Sequence, residues 1–502
     1  MHVRRNVFAF ISDGPEISAL RAGIRAMKDR PANDPRSWAY QAAIHGSEQP
    51  PPDELAARTW NMCQHASFFF LSWHRMYIYF FERILRAASG DDDLALPYWN
   101  YSNPGQQALP IPFRDPAAES NPLFEAQRNA GVNQGAQLPP AAVAISGTMG
   151  VQNFLPVGGG RVSFGGARIP APQHFAPRAF TGELENQPHN IVHGLVGGAG
   201  LMGNPNTAAQ DPIFWLHHSN IDRLWERWLD LGEARANPVD DGVWMDTAFT
   251  FFDEGGAEVQ MSGREIVETA PQLDYVYDDE PAGALGALSA MGALARAGAV
   301  EALAGSSAAF GSAGDEPEPT VIGSTGAEGG AEIIVLGAEP TRVAVALAGS
   351  ADAVAASAEA SAEGRPEAGG RLVLGINGVE YDENPGVTYE VYLNLPEDQE
   401  PDYRSDYYVG NIGFFGMTPH EEHEGGHGHP ANLSFDVTDN VRALSDKGEW
   451  VEGQADITFV SRGLIPPPSE EMSVADAEAT AAAATPEPSG SPRFRSVELI
   501  AE

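Results

Sequence analysis

The fold is decided by one stretch, Cys63-Gln64-His65-Ala66-Ser67-Phe68-Phe69-Phe70-Leu71-Ser72-Trp73-His74-Arg75-Met76-Tyr77-Ile78-Tyr79-Phe80-Phe81-Glu82. Apolar and aromatic residues recur here on every turn of a 3.6-residue period, which predicts a helix over Phe68–Ala88. So long an aromatic face needs other helices to cover it. His65 precedes this helix and His74 lies within it. Either histidine alone would read as a hydrogen-bonded core residue.

A second stretch changes that reading. Pro188-His189-Asn190-Ile191-Val192-His193 places two imidazoles four residues apart, on one helical face. Downstream comes Asp211-Pro212-Ile213-Phe214-Trp215-Leu216-His217-His218-Ser219-Asn220-Ile221-Asp222-Arg223-Leu224-Trp225. The proline opens a helix expected over Ile213–Leu231, because the first turn needs no amide donor there. One turn beyond His218, Asp222 is expected to fix that imidazole's tautomer. His45, His65 and His74 thus form one group, and His189, His193 and the pair His217/His218 another. Imidazoles without acidic partners suit copper, zinc or nickel, whereas magnesium and calcium demand oxygen ligands. The residues alone leave the metal, the choice between His217 and His218, and the number of ions open.

The rest of the chain sets these groups in context. At 502 residues it holds two or more domains. Lys+Arg is 30 and Asp+Glu is 69, a net charge of −39, which repels nucleic-acid phosphates and anionic headgroups and excludes those partners. No run reaches the roughly 20 apolar residues of a membrane span. The apolar stretch behind Arg4 and Arg5 is too short for a secretory signal, so a cytoplasmic location is expected. Cys63 is the only cysteine. Eight of nine tryptophans fall within 1–280, a mainly helical unit with a further helix over Glu16–Met27 and long loops at Asn100–Pro112 and Gly197–Pro205. Residues 281–319, rich in Ala, Gly and Ser, read as a linker. Strands are expected at Ala331–Leu336, Thr341–Leu347, Arg371–Ile376, Val387–Leu393, Ala431–Val437 and Ala455–Val460, making a β-domain of 320–465 with a low-complexity insert at Gly349–Gly370. The Pro/Ala/Glu/Ser-rich tail 466–502 is expected to be disordered.

At its histidines the sequence resembles the tyrosinase / catechol oxidase (polyphenol oxidase) family of binuclear type-3 copper proteins. His65, Phe70, Trp73-His74-Arg75 and Glu82 match its first copper motif, and Asp211-Pro212-Ile213-Phe214, His218 and Asp222 its second. The resemblance implies a four-helix-bundle copper core, with His45, His65 and His74 on one copper ion and His189, His193 and His218 on the other. It implies that Phe214 lies over the first copper and that Glu185 and Asn190 hold a water near the metals. It pairs Cys63 with His65 in a thioether, and matches Asp274-Tyr275-Val276-Tyr277 to the tyrosine motif closing the family's catalytic domain.

The implied activity is ortho-hydroxylation of monophenols and oxidation of o-diphenols to o-quinones with O₂; the substrates are small phenols. The β-domain, sandwich- or barrel-like, resembles the C-terminal domain that keeps long polyphenol oxidases latent until it is removed or displaced. Phe414, Phe415 and Met417 are the candidate plugs. A hemocyanin-like reversible O₂ binder and an o-aminophenol oxidase would use the same metal site, and the length of the chain favours an enzyme over a multi-unit carrier. His420, His423, His427 and His429, in a loop rich in Glu and Gly, are a candidate accessory copper loop. No oligomeric state is legible.

Overall fold

The structure, a computed structural model, describes residues 1–158, 160–176, 180–232, 235–279, 319–325, 333–347, 371–417, 430–450, 453–467 and 487–502. Residues 281–318 of the linker expected over 281–319, the insert at 349–370 and the four histidines His420, His423, His427 and His429 lie outside the described residues.

The first half is helical. Its helices include α1 (Pro15–Lys28), α2 (Trp38–His45), α3 (Glu54–Thr59), α4 (Phe69–Ser89), α5 (Ser146–Gly150), α6 (Ile191–Gly197) and α7 (Ile213–Asp230). The aromatic run of α4 is buried for almost its whole length, which is why it sits at the centre. It ends at Gly90, whose φ of 72° closes the last turn in the left-handed conformation that glycine adopts without strain. Ser37 caps α2 by accepting from the Tyr40 amide, and Pro212 opens α7. Helices α4 and α7 are cross-linked through buried charge: Arg75 of α4 reaches Asp222 and Glu226 of α7 and lies 3.7 Å from the Trp225 ring centroid. The N-terminal strand β1 (His2–Arg4) pairs in parallel with β4 (Tyr275–Tyr277). That pairing delivers Arg4 to Glu82 and Asp222, and Tyr275 and Tyr277 each donate a 2.6 Å hydrogen bond to Asp222. A hairpin of β2 (Ala248–Phe252) and β3 (Glu258–Ser262) covers the other flank.

This corrects one expectation. Asp222 does stand one turn beyond His218, but its carboxylate is turned away, toward Arg75, Arg4 and the two tyrosines. Two buried guanidiniums outbid a neutral imidazole for a buried anion, since an unpaired charge there is costly. His218 Nδ1 has no hydrogen-bond partner.

The second half is a curled sheet. Its strands are β5 (Thr320–Ser324), β6 (Ile334–Val335), β7 (Thr341–Leu347), β8 (Leu372–Val379), β9 (Thr388–Leu393), β10 (Tyr408–Ile412), β11 (Ala431–Asp436), β12 (Gln454–Arg462), β13 (Arg493–Phe494) and β14 (Ser496–Ala501). Eight of them run in the order β10-β9-β12-β7-β5-β14-β8-β11, with β6 and β13 paired separately. The two end strands meet: a Cβ on Gly410 of β10 would lie 2.8 Å from the Phe435 ring of β11, so the sheet curls nearly into a barrel. A helix over Thr438–Asp446 packs Val441 and Leu444 into the sheet's core.

The tail expectation is corrected at its far end, residues 468–486 lying outside the described residues. Residues 493–501 are strands, and β14 lies inside the sheet between β5 and β8. The Pro- and Ala-rich composition upstream hid a short alternating segment, in which Val497 and Leu499 enter the sheet's core while Ile500 packs on Val162 of the helical half. The β-domain therefore extends to the C-terminus rather than ending near 465. It is docked on the helical half by hydrogen bonds from Asn411 to Ala141 O, Asn129 to Gly386 O and Asn384 to Gly203 O, and by a reciprocal backbone pair between Gln137 and Ile465. No helix among the described residues is long and apolar enough to cross a membrane.

Candidate metal centre

Seven histidines converge in the core of the helical half, all of them buried. His45 ends α2, His65 precedes α4, and His74 sits one turn into it. His189 stands in the segment Glu185–Asn190, kinked at Gln187, that runs into α6; His193 lies in α6, and His217 and His218 in α7. The rings of His74 and His218 stack at 4.3 Å, which brings the two sequence groups against each other.

The outer nitrogens define the inner ones. His45 Nδ1 is 2.9 Å from Pro205 O, His74 Nδ1 2.8 Å from Phe70 O, and His193 Nδ1 2.9 Å from Met202 O. His189 Nδ1 is 2.9 Å from the Asn190 side-chain oxygen. Those oxygens can only accept, so each Nδ1 carries the proton and each Nε2 presents a lone pair. The Nε2 atoms of His45, His65, His74, His189 and His217 are buried without a partner, and His193 Nε2 meets His218 Nε2 at 3.4 Å. Buried polar atoms are otherwise nearly always paired. A convergent set of ring nitrogens without protein partners, four of them (His45, His74, His189 and His193) oriented from behind by a carbonyl or amide oxygen, is what a metal site needs. Burial supports the same state: it lowers the pKa of all seven, to about 3 for His45 and His189, and keeps the imidazoles in the neutral, metal-binding form.

Metal-binding distances occur within His189, His193, His217 and His218; within His45, His74 and His218; and within His45, Cys63 and His65. His218 belongs to two of these groups and so joins them. Phe214 lies between them, its ring 4.9 Å from His45 and 4.3 Å from His218. Cys63 Sγ is 3.4 Å from His65 Nδ1 and 3.1 Å from Nδ1 of His174, a histidine that no motif singled out.

A cavity of about 30 Å³, room for a water or two, lies beside His65, Glu185, Asn190 and Phe415. Glu185 and Asn190 do line one space, but each already has a protein partner. The Glu185 carboxylate accepts from the Ala66 amide at 2.8 Å, and the Asn190 oxygen is taken by His189. Burial pushes the Glu185 carboxyl up to about 8.

The three candidate plugs separate cleanly. Phe414 and Met417 belong to the β-domain's own core, Phe414 lying 6.0 Å from Tyr381. Phe415 belongs to the core of the helical half. Its ring stacks on His193 at 3.9 Å and 17°, with His65 and His189 at 5.7 and 5.6 Å. Sequence reasoning also missed Phe175, whose ring stacks on His65 at 4.6 Å and 11°; a lone loop aromatic outside any periodic segment gives no signal.

Comparison with known proteins agrees with this geometry. Residues 35–231 match the family described as the common central domain of tyrosinase, 239–285 the polyphenol oxidase middle domain, and 324–474 a domain of unknown function. A tyrosinase from Hahella sp. (strain CCB-MM4) is 33% identical over 498 residues, covering 92% of this chain and 95% of that protein. The chain belongs to the tyrosinase family. Its relatives include the latent form of a chloroplastic polyphenol oxidase from Prunus armeniaca, 34% identical over 277 residues, which are 50% of this chain and 45% of that one. The fold of latent apple tyrosinase superposes with a TM-score of 0.62 at 22% identity, over 100% of this chain and 97% of that one. As a tyrosinase the protein is a copper oxidoreductase of the tyrosinase/catechol oxidase type, with a binuclear copper centre, acting on phenols with O₂. The histidines fit that cofactor: neutral imidazoles suit copper in both oxidation states.

Proposed function

We propose that the intact chain is a latent polyphenol oxidase that hydroxylates monophenols and oxidises o-diphenols to o-quinones. His45, His65 and His74 hold one copper and His189, His193 and His218 the other. His218 is preferred to His217 because its Nε2 faces that of His193 while its ring stacks on His74; His217 Nδ1 meets not a carbonyl but the Tyr101 hydroxyl at 3.1 Å, which can donate to it and leave the ring proton on Nε2. Bound copper supplies the electrons for reducing O₂ and the Lewis acidity that eases loss of the phenolic proton. The chain's own residues do the rest. His193 offers a ring face for the substrate to stack on, and the walls of the site exclude water. Glu185, freed from its apolar burial when the β-domain withdraws, takes up the phenolic proton through a water. Cys63, at van der Waals range of the His65 ring, is the partner for a thioether that would fix that ring.

The observation that supports latency is the Phe415 ring stacked on the face of His193, the face this proposal assigns to the phenol. Gly413, two residues before it, allows the approach: a Cβ there would lie 2.7 Å from the Ile191 amide nitrogen. The test is catechol oxidation by the copper-loaded full chain and by Phe415→Ala. The variant should be at least roughly ten-fold faster, since the cost of displacing a buried ring, about 1.4 kcal/mol or more, is removed. Equal rates at equal copper content would refute the plug.

A further inference from the structure

We propose that Phe175 is a specificity-determining residue of the phenol site, forming the wall against which a substituent opposite the phenolic hydroxyl must fit. The inference rests on Phe415 standing where the substrate ring goes. Phenylalanine carries its Cβ opposite the tip of its ring. A phenol seated in place of Phe415, hydroxyl inward toward the histidines, therefore carries its para substituent where the Phe415 Cβ and the following backbone now run. That backbone passes along Phe175. A Cβ on Gly416 would come within 2.5 and 3.0 Å of two Phe175 ring carbons, and Gly416 has the positive φ of 76° that glycine tolerates best. Phe175 also lines the small cavity shared with Phe415 and Glu185.

The wall is firmly placed. The His65 amide donates to His174 O at 3.1 Å and the Ala176 amide to His65 O at 3.3 Å, a two-bond bridge that holds Phe175 beside His65. The ring lies flat on the imidazole at 4.6 Å. It belongs to the helical half, so it stays at the site when the β-domain withdraws and bounds the opened channel. A para hydrogen clears such a wall, whereas a branched alkyl group meets it.

The test compares catechol with 4-tert-butylcatechol, in the native full chain and in Phe415→Ala, each with Phe175 as Phe, Ala or Trp. Expected is a rise of roughly ten-fold in the ratio of kcat/KM for 4-tert-butylcatechol over catechol in Phe175→Ala, carried by KM, and a fall in Phe175→Trp; a few apolar contacts are worth that much. Zinc-loaded Phe415→Ala chains, which bind catechols without turnover, should show the same ratio change in Kd by calorimetry. A ratio unmoved in both Phe175 variants, with both substrates losing rate in parallel, would mean that Phe175 only steadies His65, and would overturn the proposal. The two readings fail separately. Phe415→Ala no faster than the native chain on catechol refutes the plug, and the Phe175 ratio is then read on the native chain's own turnover.

Discussion

The two halves of the molecule both contain buried polar atoms without partners, but dispose of them differently. In the helical half some are scattered, such as Ser102 Oγ and Asn206 Oδ1, but the Nε2 atoms of His45, His65, His74, His189 and His217 belong to rings gathered into overlapping groups with metal-binding spacing. In the β-half, the unpaired Asn394 Nδ2, Asn411 Oδ1, Ser434 Oγ and Thr458 Oγ1 are spread over separate strands or strand ends. A scattered unpaired group is a small local cost, while a convergent set is a binding device. The β-half accordingly supplies no donor among the described residues, only the ring of Phe415. The largest effect should follow from breaking the convergent set. His74→Ala should lower bound copper from about two ions per chain to about one and reduce catechol oxidation to background, read by metal analysis and oxygen uptake. Thr458→Val, which replaces an unpaired hydroxyl by a methyl of similar shape, should leave copper content unchanged and cost less than about 1 kcal/mol.

The helical half is also held by charge where the β-half is held by alternating apolar strands. Arg4, Arg75, Glu82 and Asp222 are all buried, and they join the first strand, α4 and α7 into one frame around the histidines. Asp222→Asn leaves two guanidiniums short of a counter-charge, and should cost about 3–5 kcal/mol in a denaturant titration. A buried pair in the β-domain, Arg462 with Glu390, joins the neighbouring strands β12 and β9. Glu390→Gln should then lower the stability of that domain and leave copper content intact. A loss of copper in Glu390→Gln as large as in Asp222→Asn would erase the distinction.

This division explains what could be read from the chain alone. The histidines were legible because chemistry marks them: imidazoles without carboxylates, at helical spacing, among aromatics. Asp222 was misplaced because spacing along a helix gives proximity and not direction, and of its partners Arg4, Tyr275 and Tyr277 arrive from the two ends of the unit through the β1–β4 pairing. Phe414, Phe415 and Met417 were equivalent on paper. The chain turns at Phe415–Gly416, closed by the Met417 amide on Phe414 O, so Phe415 stands at the corner facing the site while Phe414 and Met417 on either side return to the β-domain's core. Composition hid β14, because six residues of clean alternation follow a long Pro- and Ala-rich stretch. Phe175 left no trace because its role comes from a loop crossing.

Burial of the histidines also sets a pH dependence in the helical half. His45 and His189 are held neutral, with pKa values lowered from 6.5 to about 3. A depressed folded-state pKa means the unfolded chain takes up the proton first. Their contribution is whole above pH 6.5 and is lost as pH falls from 6.5 toward 3, at about 1.4 kcal/mol per imidazole for each pH unit. Metal-free protein should therefore lose roughly 2 kcal/mol per such imidazole between pH 7 and pH 5, seen as a lower denaturant midpoint. The same fall in His45→Phe and His189→Phe double-substituted protein would show that these rings are not its source.

The smallest effect separates two roles of Glu185 where the halves meet. Its carboxylate accepts from the amide of Ala66, a non-glycine residue held at a φ of 53° immediately after His65, so it braces the first histidine group as well as facing the cavity under Phe415. Glu185→Gln keeps an oxygen for the Ala66 amide and removes only the capacity to take a proton. Hydroxylation of a monophenol requires its proton to leave before the ring can dock as phenolate, whereas a catechol carries a second hydroxyl and loses its first proton more readily. Monophenol turnover should then fall roughly ten-fold relative to catechol turnover, short of the 10²–10⁴ of a sole general base because the Lewis acidity of bound copper still assists. Glu185→Ala, which removes the brace as well, should lower both activities together and copper content with them. Parallel losses in Glu185→Gln at full copper content would assign Glu185 to bracing alone.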